Sequence, residues 1–311
     1  MPPRNPDPLT GLALTVAVIA VSSSGPLIAF AAAPALAIAF WRNAMAVGVL
    51  APAVLIRRRP ELRALVTEYR REGLFCVLAG VALAAHFGLW IPSVKLTSIA
   101  TATALVATQP VWQGLIAVGQ GRRLSRATWV GISVAVAGAM AATGADIGHS
   151  VEAVVGDILA VLGGVMAAVY TALGEKARVH ISTTAYTAVC YTTCAALLLV
   201  VCLTSGQALA GYALTTWLAL VALTVGPQLL GHSLFNFAVK RVPATTISVL
   251  ILLEVPGAAL IGWAWLGQAP RLASLPGLAL LMAGVVIVVL ASRRATTRPP
   301  LEQPEANVIS P

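Results

Sequence analysis

Charged side chains are scarce in this chain of 311 residues, and their scarcity excludes a soluble globular domain. Only 10% of the residues are charged, whereas 59% are hydrophobic and the mean hydropathy is +0.89. An average soluble domain has about 25% charged residues. The composition therefore predicts an integral membrane protein built from long apolar helices.

Motifs of nucleotide-driven pumps and of metal-dependent hydrolases are also missing. The sequence contains no Gly-x-x-x-x-Gly-Lys-Ser/Thr loop for phosphates and no His-Glu-x-x-His pair for zinc. Its four cysteines lie in apolar stretches, where a thiol usually behaves as a small hydrophobic group. We therefore expect no disulfide framework, no metal site, no catalytic residues and no cofactor.

Ten apolar stretches can be placed along the chain, each close to the roughly 20 residues that a helix needs to cross a bilayer. Numbered helix 1 to helix 10, they are residues 9–31, 34–56, 73–93, 97–118, 126–144, 154–174, 184–204, 214–238, 243–266 and 272–292. Residues 1–8 form an N-terminal tail, and residues 293–311, rich in Pro, Thr and Glu, are expected to be a disordered tail. The predicted fold class is an all-α polytopic membrane protein with ten transmembrane helices.

The second half of the sequence repeats the first half at an offset of 145 residues. Gly11 corresponds to Gly156, Trp41 to Tyr186, Lys95 to Lys240 and Gln109 to Glu254. Each copy, 9–144 and 154–292, holds five stretches, and an odd number of crossings forces the second copy to enter the membrane inverted. Inverted repeats are typical of secondary transporters, whose substrate sites lie near the membrane midplane.

The basic residues predict how the chain is oriented in the membrane. With a cytoplasmic N-terminus, seventeen of the twenty Lys and Arg residues fall on the cytoplasmic side, and only Arg42, Lys95 and Arg271 fall outside. This bias predicts that both termini are cytoplasmic, and Arg42 is expected to cap or anchor the outer end of helix 2. The net charge of +9 then reflects the orientation of the chain in the membrane, and the basic residues are expected to contact lipid headgroups. Nucleic-acid binding is therefore not expected. The preference for Arg over Lys and the abundance of Ala are typical of a GC-rich bacterial genome, so a bacterial cell membrane is the expected location.

Several stretches resemble the EamA branch of the drug/metabolite transporter superfamily. In the first copy they are AFWRNAMA, residues 39–46, and residues 94–140; in the second copy they are residues 156–173 and 237–268. The order, spacing and duplication of these stretches carry the resemblance. It implies ten helices, a central cavity lined mainly by helices 1, 3, 4, 6, 8 and 9, and movement of small metabolites, amino acids or drugs, commonly outward.

Polar residues inside apolar stretches are the candidate cavity residues, because such groups are costly when they face lipid. Gln228, His232 and Asn236 are spaced four apart, so they share one face of helix 8 if it is an α-helix. His86 and Trp90 have the same spacing in helix 3, and His86 aligns within one residue of His232 across the repeat. We expect the helix 8 residues to line a cavity. For His86, a hydrogen bond between helices is an equally good interpretation.

Three further helices contribute candidates. Ser23 and Ser24 precede a Gly-Pro pair in helix 1, which favours a broken helix whose freed backbone groups face a cavity. Small residues are also typical of close helix packing. Tyr170 is the candidate wall residue of helix 6, and Gln109, the counterpart of Glu254, is a secondary candidate in helix 4.

Glu254 is a carboxylate deep in an apolar stretch, and ionisable groups at that depth are functional candidates by default. Together with His232, it is the candidate for proton coupling, since histidine readily changes charge near neutral pH. The alternative is a structural role, in which Glu254 hydrogen-bonds backbone groups freed by Pro256.

The predicted function is secondary transport of a small metabolite, amino acid or drug across the cell membrane by alternating access, with export and proton coupling as expectations. An uncoupled facilitator fits the same sequence pattern. A structural membrane protein and an intramembrane enzyme are the alternatives from other classes. A structural protein has no need for polar residues on facing helices. An enzyme needs a cluster of catalytic groups. The expected partners are a small-molecule substrate, the bilayer and, if transport is coupled, protons. A homodimer is left open.

Overall fold

The computed structural model describes residues 8–97, 99–143, 150–266 and 272–297. These residues are almost entirely helical and include no β-strand, which confirms the all-α class. Most of both predicted tails, residues 1–7 and 298–311, lies outside the described residues.

The helices follow the apolar stretches of the sequence. In chain order they are α1 (Pro8–Ser22), α2 (Ser24–Phe30), α3 (Ala35–Arg57), α4 (Arg59–Thr67), α5 (Arg70–Leu96), α6 (Ile99–Val106), α7 (Gln109–Gly119), α8 (Arg126–Thr143), α9 (Val151–Ala177), α10 (Thr183–Thr204), α11 (Leu214–Leu223), α12 (Ser233–Ala238), α13 (Ala244–Ile251), α14 (Glu254–Leu266) and α15 (Leu275–Thr297). A π-helix, Thr224–His232, joins α11 to α12, and a short 3₁₀ turn, Leu272–Ser274, precedes α15.

Eight helical segments in the described part of the chain are long and apolar enough to cross a membrane, and Arg126–Ala142 is a shorter apolar helix. These segments indicate a multi-pass membrane protein. The fourth predicted span, residues 97–118, is divided between α6 and α7, so neither piece alone reaches the length that a crossing requires.

Two helix breaks fall at equivalent positions of the two sequence repeats. α6 and α7 are separated at residues 107–108, and α13 and α14 at residues 252–253, which is the same offset that relates the repeats. The chain crosses both breaks in tight turns, in which the amides of Thr108 and Leu253 donate to carbonyls three residues earlier. Such turns satisfy part of the backbone inside the protein, as a membrane environment demands.

Equivalent helices of the two repeats pack on each other. α3 packs against its counterpart α10, and α8 packs against its counterpart α15. Helices that are not equivalent also pack across the repeats: α7 on α13, α5 on α9, and α1 on the π-helix and α12. The fold is therefore held together mainly by contacts between the repeats, and its centre lies where the repeats meet.

α8 and α15 pack so closely that only glycine fits at several contacts. A Cβ added to Gly138 would lie 2.2 Å from the backbone nitrogen of Leu281, and one added to Gly284 would lie 2.3 Å from that of Ala135. The glycines of predicted helices 5 and 10 thus serve packing within one chain, as small residues commonly do between membrane helices.

A group of polar contacts connects the first repeat to the segment before α10. Glu61 in α4 accepts hydrogen bonds from the backbone amide and the hydroxyl of Ser182. His180 Nδ1 lies 2.9 Å from Glu72 Oε1, and the His180 ring stacks on Tyr69 with 5.4 Å between ring centres. We call these five residues the α4 cluster. They lie at the end of the helices that carries most of the basic residues.

Candidate functional site

A cavity between the repeats is the candidate site. It adjoins both helix breaks, since Ala107 and Leu252 are in its wall, and it receives side chains from α1 to α3, α5 to α7, α9 and the chain from the π-helix to α14. Its volume is about 70 Å³, which is room for several water molecules.

Most of the residues predicted as cavity or coupling candidates line this cavity: Ser24, His86, Trp90, Gln109, Tyr170, His232, Asn236 and Glu254. Ser23 is not in the wall, because its hydroxyl turns back to donate to the carbonyl of Ala20 at 2.8 Å. The helix break that the Ser-Gly-Pro segment predicted does occur there, between α1 and α2.

Gln228 lies behind the cavity wall instead of in it. Its side chain is fully buried, accepts a hydrogen bond from Arg42 Nε at 2.8 Å and donates to Asn43 Oδ1 at 3.0 Å. The prediction that Gln228, His232 and Asn236 share one face assumed α-helical spacing. Gln228 and His232 instead belong to the π-helix, which also contains Pro227. In this segment Pro227, the residue before Gln228, lines the cavity together with His232.

Arg42 is in the cavity wall, although sequence reasoning placed it at the outer end of helix 2. It lies inside α3, is 1% exposed, and its guanidinium carbon is 4.4 Å from the centre of the Phe87 ring. Its Nη1 and Nη2 atoms have no hydrogen-bond partner among the described residues. The signal that could have found Arg42 was its position within the apolar stretch 34–56, because ionisable residues inside spans mark functional sites.

His86 and His232 approach the cavity from different repeats. His86 Nδ1 donates to the carbonyl of Gly163 at 2.9 Å, and its ring stacks on Trp90 with 5.9 Å between ring centres. His232 meets the edge of Phe87 at 5.5 Å. His86 therefore makes the hydrogen bond between helices that one interpretation proposed and also lines the cavity that the other proposed.

Tyr170 and Asn236 join α9 to α12 at the cavity wall. The Asn236 amide donates to the Tyr170 hydroxyl at 2.5 Å, and Arg178 Nε donates to the Asn236 backbone carbonyl at 3.2 Å. The Tyr170 ring also contacts His232 with 6.0 Å between ring centres. Because the hydroxyl accepts the bond from Asn236, its own proton can serve a ligand in the cavity.

Gln109 and Glu254 stand at the start of the half-helices that follow the two breaks. Gln109 Nε2 donates to Thr171 Oγ1 at 3.3 Å, and Thr171 is a wall residue that sequence reasoning missed. Within the described part of the chain, the Glu254 side chain makes neither a hydrogen bond nor an ion pair. Its carboxylate lies at a helix N-terminus, where the helix dipole favours negative charge.

No group of three or more His, Cys, Asp or Glu side chains suited to a metal ion occurs in the regions that the structure describes. The four cysteines are buried and unpaired. The chemistry that the cavity offers is therefore hydrogen bonding, aromatic contact and the two charges of Arg42 and Glu254.

Comparison with known proteins gives a family and a fold. The model of the EamA-like transporter family matches residues 9–144 and 154–290. Chains of solved structures, 29 in number, are similar to this chain; one, titled "Crystal structure of protein", aligns with a TM-score of 0.77 and 22% identity, covering 92% of this chain and 98% of that chain. At that identity the likeness extends to the fold alone. None of the curated proteins matches the chain.

Proposed function

The chain belongs to the EamA-like transporter family, whose members move small molecules across membranes, and we propose that it is a secondary transporter that works by alternating access. The observation that carries the proposal is the cavity beside two equivalent helix breaks. Broken helices near the midplane supply polar backbone groups to transporter sites. The polar side chains in this cavity would be costly anywhere else in an apolar bundle.

The architecture proposed for this activity has ten membrane crossings in two inverted five-helix repeats, residues 9–144 and 154–292. The break in α6 and α7 supports a crossing made of two half-helices, as does the matching break in α13 and α14. The distribution of basic residues supports cytoplasmic termini and, with the composition, a place in the cell membrane.

The α4 cluster is a suitable gate for alternating access. It ties α4 and the start of α5, in the first repeat, to the segment before α10, in the second repeat. Polar contacts of this partly exposed kind typically contribute about 0.5–1.5 kcal/mol each. They can therefore hold one end of the cavity closed and still break in every transport cycle.

We propose export as the direction of transport and Glu254 or His232 as the proton-coupling group. Glu254 faces the cavity and has no partner in the described residues, which suits a carboxyl group that gains and loses a proton during the cycle. An uncoupled facilitator is the second candidate. The facilitator is supported by His86, because its Nδ1–H already donates to the Gly163 carbonyl and this nitrogen is not free to take up a proton.

The first test is untargeted profiling of the medium of cells that express the chain. We expect at least one small molecule to accumulate outside cells with the wild type and to fall toward the vector level with Asn236→Ala. Leu230→Ala, on the exposed side of the π-helix, is the matched control and should behave like the wild type. Purified protein in nucleotide-free liposomes should then move that compound. A chain that changes no compound in the medium and moves none in liposomes would refute the transport proposal.

A further inference from the structure

The guanidinium of Arg42 is a buried positive charge that the protein itself leaves mostly unpaired. Arginine carries five N–H donors. Its Nε–H is used by Gln228, while Nη1 and Nη2 have no acceptor in the described residues. A buried charge normally persists only when it is paired and hydrogen-bonded. The terminal N–H groups of Arg42 can therefore donate to an acceptor inside the cavity that this residue lines.

The hydrogen bonds behind Arg42 fix its orientation. The Asn43 amide donates to the Ala39 carbonyl at 2.8 Å, which turns its Oδ1 toward Gln228 Nε2. That bond in turn presents Gln228 Oε1 to Arg42 Nε at 2.8 Å. Each amide is oriented by the next, so the guanidinium is held in place by neutral groups.

The surroundings of Arg42 contain one acid, Glu254, but the described residues offer no acceptor within hydrogen-bond distance of the terminal nitrogens of Arg42. The guanidinium carbon lies 4.4 Å from the centre of the Phe87 ring, and Tyr170, Tyr191 and Cys194 are uncharged neighbours beside the acid Glu254. Glu254 lines the same cavity but forms no ion pair with Arg42 among the described contacts. A guanidinium with both terminal nitrogens free matches a carboxylate, which it can bind through two parallel hydrogen bonds.

We propose that Arg42 binds the carboxylate of a small organic monoanion, and that this group identifies the substrate class of the proposed transporter. The inference rests on the transport function proposed above. Phe87, Trp90 and Phe235 supply aromatic surface for the body of the molecule. A single charge is favoured because Arg42 is the only Lys or Arg in the described wall, and because Glu254 would repel a second anionic group.

The test uses purified full-length protein in detergent and three pairs of compounds, each a carboxylate and its primary amide: benzoate and benzamide, phenylacetate and phenylacetamide, hexanoate and hexanamide. The readout is the thermal unfolding midpoint from tryptophan fluorescence at constant ionic strength, titrated to give an apparent Kd. We expect at least one carboxylate to raise the midpoint while its amide does not. Equal effects of acid and amide, or no effect of any acid, would overturn the proposal.

Two variants assign the effect to Arg42. Arg42→Gln should weaken carboxylate binding at least tenfold, with Leu230→Ala as the unchanged control. If Arg42→Gln does not fold, Gln228→Glu decides, because it leaves Arg42 in place and gives the guanidinium an internal carboxylate at the same contact. We expect the same tenfold loss with Gln228→Glu. Retention of carboxylate binding in the variant that folds would assign the site elsewhere.

Flux in liposomes separates this inference from the transport proposal. Transport of neutral or cationic solutes without any preference for carboxylates would support the transport proposal and refute the proposed role of Arg42. If carboxylate binding depends on Arg42 but the protein transports no solute, the anion site is supported and the transport proposal is refuted.

Discussion

Gln109 and Glu254 occupy the same position in the two repeats, and each begins a half-helix whose first turn borders the cavity. Their surroundings differ, however. The Gln109 amide is bound to Thr171, whereas the Glu254 carboxylate has no partner in the part of the chain described. The repeat symmetry thus places one neutral and one acidic group at equivalent points, and the cavity is electrically asymmetric because of this difference.

Glu254→Gln makes the two positions chemically equal and should separate flux from proton coupling. We expect flux in liposomes to continue within about threefold at one pH, while its dependence on a pH gradient disappears, because an amide cannot exchange a proton in this range. Glu152→Gln, an exposed carboxylate outside the cavity, is the control. If flux in Glu254→Gln keeps the same response to pH as the wild type, the role of Glu254 is structural.

Tyr170→Phe should lower both stability and affinity for the transported molecule. The change removes the hydroxyl that accepts the Asn236 amide, and an unsatisfied buried donor costs about 1–3 kcal/mol. Tyr191→Phe is a matched control, since this buried hydroxyl bonds Ser233 and lies outside the cavity wall. Unfolding midpoints should fall in both variants, but the apparent Km should rise only in Tyr170→Phe. An equal rise in Km for both would mean that Tyr170 acts through stability alone.

The helical class, the repeat and most of the cavity residues follow from sequence patterns of polar groups in apolar stretches. The positions of Gln228 and Arg42 in the structure do not follow from these patterns. Helix 8 contains a π-helix, and this rare conformation leaves no signal in a pattern based on α-helical spacing. Once Gln228 turns toward α3, Arg42 gains a partner inside the protein, and a residue read as an interface anchor becomes part of the cavity wall.

Glu61→Gln should weaken the gate that we propose for the α4 cluster. The carboxylate of Glu61 accepts two part-buried hydrogen bonds from Ser182, and the loss of one such bond, about 0.5–1.5 kcal/mol, shifts a two-state equilibrium by up to about tenfold. The measurement is the alkylation rate of a single cysteine placed at Ala167 in the cavity wall, in a background without the native cysteines. Glu152→Gln, exposed and without contact to the cluster, controls for charge. Equal alkylation rates in the two variants would exclude the α4 cluster as a gate.

Gly138→Ala should destabilise the protein without changing its affinity for the transported molecule. The added Cβ would lie 2.2 Å from the backbone of Leu281, so α8 and α15 must move apart, and overpacking of this kind costs about 1–3 kcal/mol. Gly48→Ala in α3 meets no atom within 4 Å and should instead gain up to about 1 kcal/mol from higher helix propensity. We therefore expect the unfolding midpoint in detergent to fall for Gly138→Ala and to stay level or rise for Gly48→Ala, with unchanged Km in both. A changed Km in Gly138→Ala would show that the α8–α15 pair, although outside the cavity wall, moves with the transport cycle.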